Sequence, residues 1–99
     1  FLAENKGVII GYVMGWIQIR SPIYSRRRIG YLSNIYVDTN FRSSGIGKQL
    51  YFVIEKWFKK RNVDFVEVKA NIKNSDAIKK FRNYGFKDLN ITFYKKVKK

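Results

Sequence analysis

The chain has 99 residues, enough for one small domain, and 45% of them are hydrophobic with a single proline, which excludes a disordered chain. It holds no cysteine and no histidine, which excludes disulfide staples, thiol nucleophiles, a histidine base and the usual zinc ligand sets. Lysine and arginine outnumber aspartate and glutamate 21 to 7, for a formal charge of +14, and such a surface concentrates anions: phosphate-bearing small molecules, nucleic acid or anionic lipid.

The first four residues read as the end of a strand, and Asn5-Lys6-Gly7 as a tight turn. Val8 to Arg20 is rich in β-branched and aromatic residues and predicts a long strand in which Gly11 and Gly15 mark bends or close packing. It is too short and too interrupted to span a bilayer, and FLAENKG lacks the basic region and cleavage pattern of a secretory leader. A cytoplasmic location and no membrane partner are the expectation. Ser21 to Arg28, with Arg26-Arg27-Arg28, reads as a loop, and Ile29 to Asp38 as the next strand. Alternation in that strand puts Tyr31, Ser33, Ile35 and Val37 in one row, expected to face the core.

After the connection Thr39 to Ser44, a helix is predicted from Gly45 or Ile46 to Arg61 or Asn62, with Ile46, Leu50, Val53, Ile54 and Trp57 as its apolar stripe. Val63 to Ala70 predicts a strand. A short helix from about Asp76 to Asn83 follows, with Ser75 as its cap, Ala77, Ile78 and Phe81 on its buried side, and Gly85 as its stop. Leu89 to Val97 reads as a last strand with a lysine-rich end. The predicted fold class is α/β, a mixed, mostly antiparallel sheet in the order β-β-β-α-β-α-β, as a single domain over residues 1–99.

The sharpest local signal is Tyr36-Val37-Asp38-Thr39-Asn40-Phe41-Arg42-Ser43-Ser44-Gly45-Ile46-Gly47-Lys48: a strand, a short loop with glycines, then a helix. Glycine lets a backbone approach a ligand closely, and a helix N-terminus offers unpaired N–H groups to an anion. Neither GxxxxGK[ST] nor a full dinucleotide fingerprint is present. Arg42, Gly45 and Gly47 occupy the fixed positions of Gln/Arg-x-x-Gly-x-Gly/Ala, and the stretch resembles the core motif of the GCN5-related N-acetyltransferase superfamily. Asn74 to Phe86, with Asn, Ala, Tyr and Gly-Phe at matching intervals, resembles its second motif.

The resemblance covers nearly the whole chain and implies an acetyl-CoA-dependent N-acetyltransferase, acetyl-CoA as co-substrate and no metal. It implies that main-chain groups of Ile35, Tyr36 and Val37 bind pantetheine, with Val37 near the thioester oxygen. Ser43, Ser44, Gly45, Ile46, Gly47 and Lys48, with Arg42, would surround the pyrophosphate; Asn74 would touch the pantetheine arm, and Phe81 would lie beside the thiol. Members usually begin with a further strand and one or two helices, so the chain is expected to be the C-terminal portion of a longer family-type domain. A missing N-terminal segment or a homodimer would complete the site.

The sequence departs from the family at its proton-transfer positions. Ser33 and Asn34 stand where many members have an acidic base, and Phe81 where many have a tyrosine acid. Tyr84, three residues further on, is either the substitute acid or a buried aromatic, with Tyr31 and Tyr36 as further candidates; Glu67 is the carboxylate on the next strand, its direction left open by alternation alone. The mechanism implied is direct attack of a primary amine on the thioester. The acceptor would be a small molecule, a protein N-terminus or a lysine. The alternative is a non-catalytic acyl-CoA-binding or basic nucleic-acid-binding module of the same fold.

Overall fold

The computed structural model describes residues 1–20 and 27–98, in two compact units, Phe1–Lys69 and Ala70–Lys99. In the first unit, β1 (Leu2–Asn5), β2 (Val8–Arg20), β3 (Arg27–Val37) and β4 (Phe65–Val68) form one sheet in that order. The β1/β2 and β2/β3 pairs are antiparallel. β4 is parallel to β3, and the crossover between them carries helix α1 (Ile46–Lys60). Lys6 and Gly7 both have positive φ, 51° and 79°, as the two-residue reversal between β1 and β2 requires. Arg27 and Arg28 open β3 rather than close a loop, and the rest of the expected loop, residues 21–26, lies outside the described residues. The Arg28 backbone N–H donates to the Asp64 carboxylate at 3.0 Å, and the Asp64 N–H donates back to the Arg28 carbonyl at 2.9 Å.

The core lies where α1 meets β2 and β3. Val13, Leu32, Leu50, Tyr51, Ile54 and Phe58 are buried there, and Ile10 and Ile29 are buried as well. The apolar stripe of α1 is turned from the predicted one. Tyr51 and Phe58 take the buried side, while Val53 is 46% exposed. Leu50, Ile54 and Phe58 follow one another at four-residue steps with Tyr51 beside them, and Val53 falls roughly a third of a turn away. Gly11, Gly15 and Gly30 face this helix, and a Cβ on Gly30 would stand 2.9 Å from Phe58 Cδ1 and Cε1.

The expected core row Tyr31-Ser33-Ile35-Val37 is split by a bulge. Met14 pairs with Asn34 but the next residue, Gly15, pairs with Leu32, leaving Ser33 without an opposite number on β2. One extra residue inverts the alternation. Beyond the bulge Ile35 and Val37 share a face with Val13 and Gly11; before it Leu32 and Gly30 take that face, and Tyr31 turns to the other.

In the second unit, α2 (Ser75–Asn83) is capped by Asn74, whose side chain accepts from the Ala77 N–H at 3.2 Å, so the cap is one residue earlier than Ser75. Gly85 has φ 100° and ends the helix region as expected. Ala77, Ile78 and Phe81 are half-buried. The predicted strand Leu89 to Val97 does not form: residues 87–98 are neither helix nor strand, and Leu89, Ile91, Phe93, Tyr94 and Val97 are exposed. A strand pattern becomes a strand only with a ladder partner. The order among the described residues is therefore β-β-β-α-β-α. None of the described helices is long and apolar enough to cross a membrane.

Candidate active site

The cofactor-motif residues of the first unit gather where β3 ends and α1 begins. The parallel ladder joins Ile29–Leu32 to Phe65–Val68 and stops. Ser33 has no partner in either ladder, and from Asn34 to Val37 β3 pairs with β2 alone among the described residues, so its other edge leaves main-chain donors and acceptors without a strand partner. The β2/β3 bulge falls at this same Ser33. A notch between β3 and β4 thus begins at the residue whose extra backbone re-aims the strand.

The loop leaving β3 is held by its own polar groups. Asp38 accepts from the Asn40 N–H at 3.0 Å and starts a single 3-10 turn, Thr39–Phe41. Arg42 Nε donates to the Val37 carbonyl at 3.0 Å, and its guanidinium lies over the Tyr36 ring, 5.9 Å from the centroid. Arg42 therefore braces the loop against the strand. Ser44 Oγ donates to the Phe41 carbonyl. Ser43 has φ 64° and Gly45 φ 86°. These left-handed residues bring the chain sharply into α1.

Gly45 caps α1 without any side-chain hydrogen bond. The first N–H groups of α1, at Ile46, Gly47 and Lys48, are thus not answered by a capping side chain, and no acidic residue stands in the first turn. Ser43, Ser44, Gly45 and Lys48 are exposed around them. A helix N-terminus of this kind, beside a lysine and an arginine, fits a phosphate. No group of three or more His, Cys, Asp or Glu is placed to hold a metal ion among the described residues.

Ser33 and Asn34, at the positions of the family's acidic base, are exposed, and Asn34 Nδ2 donates to the Tyr12 hydroxyl at 3.2 Å. Asn74, Phe81 and Tyr84 belong to the second unit. Asn74 spends its side-chain oxygen on the α2 cap. The Phe81 ring meets Tyr84 edge-on at 6.3 Å and Phe86 at 5.8 Å. Burial pushes the half-buried Tyr84 phenol above its ordinary pKa, so it keeps its proton at neutral pH.

The register also settles the direction of Glu67. Glu67 pairs with Tyr31, which stacks on Trp16, so its carboxylate is on the sheet face opposite α1. Alternation could not have found this, because the bulge that turns Tyr31 to that face leaves no mark in the sequence beyond a serine.

The sequence profile of the acetyltransferase (GNAT) family matches residues 1–86. The chain is similar to GCN5-related N-acetyltransferase 4, chloroplastic, of Arabidopsis thaliana, 30% identical over 96 residues that cover 91% of this chain and 33% of that protein. It is also similar to an uncharacterized N-acetyltransferase of Methanocaldococcus jannaschii, 31% identical over 94 residues, covering 92% of this chain and 40% of that protein. The chain thus spans well under half the length of these curated relatives. Its fold is like that of the aminoglycoside N-acetyltransferase AAC(6')-Iy in complex with CoA, with TM-score 0.81, 24% identity, and coverage of 96% of this chain and 72% of that one. It is also like that of a tetramutant of the BH1408 protein from Bacillus halodurans, with TM-score 0.87, 23% identity, and coverage of 98% and 63%. On the match of the family profile across most of its length, the chain belongs to the acetyltransferase (GNAT) family.

Proposed function

We propose that this chain supplies the acetyl-CoA-binding part of an N-acetyltransferase that passes an acetyl group to a primary amine by direct attack. The observation that carries the reading is the uncapped, glycine-led N-terminus of α1, entered directly from the β3 segment that lacks a strand partner on one edge. In this reading the pyrophosphate sits among Ser43, Ser44, Gly45, Ile46, Gly47 and Lys48, where α1's amides and the Lys48 charge meet it. The pantetheine arm extends into the notch and takes the place of a missing strand, hydrogen-bonding main-chain groups of Ile35, Tyr36 and Val37.

A neutral amine attacks the thioester carbonyl, a tetrahedral oxyanion forms against the Val37 backbone, and the C–S bond breaks. The amine loses a proton and the departing thiolate gains one. By the family resemblance Tyr84, three residues beyond the position where many members carry a tyrosine acid and this chain has Phe81, is the proposed proton donor to the thiolate. Positioning and backbone donors carry most of the rate. The presence of aminoglycoside acetyltransferases among proteins of like fold is compatible with an amine acceptor, and the likeness is one of fold.

The test is release of free CoA thiol from acetyl-CoA with a panel of primary amines. Amine-dependent release that a Gly47→Trp substitution abolishes supports the reading; a folded chain that binds acetyl-CoA but releases none with any amine refutes catalysis by this chain. A second reading is a non-catalytic basic module, favoured by the +14 charge and by Ser33 and Asn34 at the acidic positions. Salt-sensitive RNA or DNA binding without turnover would support it.

A further inference from the structure

Tyr12 lies on β2, outside the cofactor motif, yet its contacts lead into the cofactor loop. In the register it stands opposite Tyr36 on β3, beyond the bulge, and the two rings stack with centroids 5.5 Å apart and planes 28° from parallel. The Arg42 guanidinium lies over the Tyr36 ring, 5.9 Å from its centroid, and Arg42 Nε donates to the Val37 carbonyl at 3.0 Å. The Tyr12 hydroxyl accepts from Asn34 Nδ2 at 3.2 Å, its diagonal neighbour across the two strands. A continuous set of contacts therefore runs from Asn34 through Tyr12 and Tyr36 to Arg42, and back to the end of β3 at Val37.

Arg42 is the point at which the loop is held. The next residue, Ser43, has φ 64°, Gly45 has φ 86°, and α1 begins at Ile46. A left-handed serine costs conformational energy and persists only where its neighbours are fixed. Arginine has five N–H donors on a long stem, and a single bond at Nε lets the guanidinium pivot. A ring beneath the guanidinium restrains that pivot. The Tyr36 ring can do so only while it keeps one setting, and the Tyr12 ring directly across the strand pair holds it there.

We propose that Tyr12 is a positioning residue for the cofactor: through the Tyr36 ring it holds Arg42 on the Val37 carbonyl and so presets the turn that receives the pyrophosphate. The inference rests on the acetyl-CoA reading and deepens it by naming a residue outside the motif. Tyr12 touches no part of the cofactor in this role. A loop set before binding loses less freedom when the ligand arrives, so the effect falls on affinity. The ring carries the role; the hydroxyl serves Asn34.

Two measurements on the full chain test it. The first needs no ligand: solvent exchange of the Arg42 Nε–H by proton–nitrogen NMR, the signal assigned by its loss in Arg42→Lys. The wild-type Nε–H should exchange more slowly than that of free arginine. Tyr12→Leu should speed it roughly three- to tenfold, the worth of one aromatic pair, and Tyr12→Phe should leave it unchanged. The second is calorimetric titration with acetyl-CoA. Tyr12→Leu should weaken binding by about the same three- to tenfold, and Tyr12→Phe should bind like the wild type. Tyr12→Leu should add nothing to Arg42→Lys, because both act on one set of contacts. Tyr12→Val, which suits a strand, takes the place of leucine if circular dichroism shows that Tyr12→Leu unfolds. An unprotected Arg42 Nε–H in the wild type, unchanged exchange on loss of the Tyr12 ring, or full additivity with Arg42→Lys overturns the proposal. A wild-type chain that binds no acetyl-CoA while its Arg42 Nε–H is protected overturns the acetyl-CoA reading and this role with it. Equal binding by the wild type and Tyr12→Leu overturns the positioning role alone.

Discussion

Gly30→Ala probes the seat of α1 on the sheet, and through it the position of the phosphate-binding turn. A Cβ on Gly30 would lie 2.9, 2.9 and 3.0 Å from Cδ1, Cε1 and Cγ of Phe58, a side chain only 1% exposed. Those atoms include the ring's attachment point, so a flexible tip cannot swing aside. Overpacking of this kind costs about 1–3 kcal/mol. Gly30 is not among the positive-φ glycines, so alanine restrains the unfolded chain and returns about 0.4–1 kcal/mol. The net loss should lie between roughly 0 and 2.6 kcal/mol, against the ~5–15 kcal/mol expected for a domain of this length. Urea unfolding should show a lower midpoint at unchanged slope. Phe58→Leu relieves the clash, so the double variant should be more stable than the sum of the two single losses predicts, by about 0.5 kcal/mol or more. Acetyl-CoA affinity should fall with Gly30→Ala alone, because α1 is displaced. A stabilising Gly30→Ala, or strict additivity with Phe58→Leu, would refute the argument that the helix is seated on this glycine.

At Gly45, whose φ is 86° and whose Cβ would meet nothing within 4 Å, the cost of substitution is conformational. Gly45→Ala should lose about 1–2 kcal/mol in urea unfolding and Gly45→Asn distinctly less, since asparagine tolerates the left-handed region. Asn74→Ala should cost about 1 kcal/mol through loss of the α2 cap, and Asn74→Asp should retain most of it, measured by the same unfolding assay. Burial, with the Glu55 charge second, pushes the Tyr51 phenol up to about 12 from its ordinary 10.0. The raised folded pKa makes the unfolded state lose its proton first as pH rises. Stability is therefore present below about pH 10 and declines toward pH 12, with a slope from this group of at most about 1.4 kcal/mol per pH unit, lessened by solvent screening. Tyr51→Phe should remove that part of the alkaline loss, followed by unfolding alongside phenolate absorbance.

The long strand Val8–Arg20, the 15-residue helix and the strand–loop–helix entry were legible because each is a local pattern: β-branched runs, helical spacing, and glycines at a turn. The facing of β3 was not. A single unpaired residue, Ser33, exchanges the core row from Ile35 and Val37 to Leu32 and Gly30, and a bulge is a property of two strands rather than one. The same pairing hid the direction of Glu67. Helix α1 shows a related limit: Val53 and Trp57 are as apolar as Tyr51 and Phe58, and Gly30 and Gly15 on the facing sheet decide which side is buried. Leu89 to Val97 alternates like a strand, but alternation cannot supply a ladder partner. The motif marked the turn from β3 into α1, while Arg42's bond to the Val37 carbonyl and Asn74's cap are braces that only the folded structure reveals.

The central claim is that the N-terminus of α1 and the adjoining β3 edge bind acetyl-CoA, and calorimetric titration of the chain with acetyl-CoA tests it most directly. The account predicts specific micromolar binding that is lost in the folded Gly45→Trp/Gly47→Trp variant and weakened by salt, as an anion on a cationic helix terminus requires. Absence of binding by the folded wild-type chain, or equal binding by that variant, would contradict it.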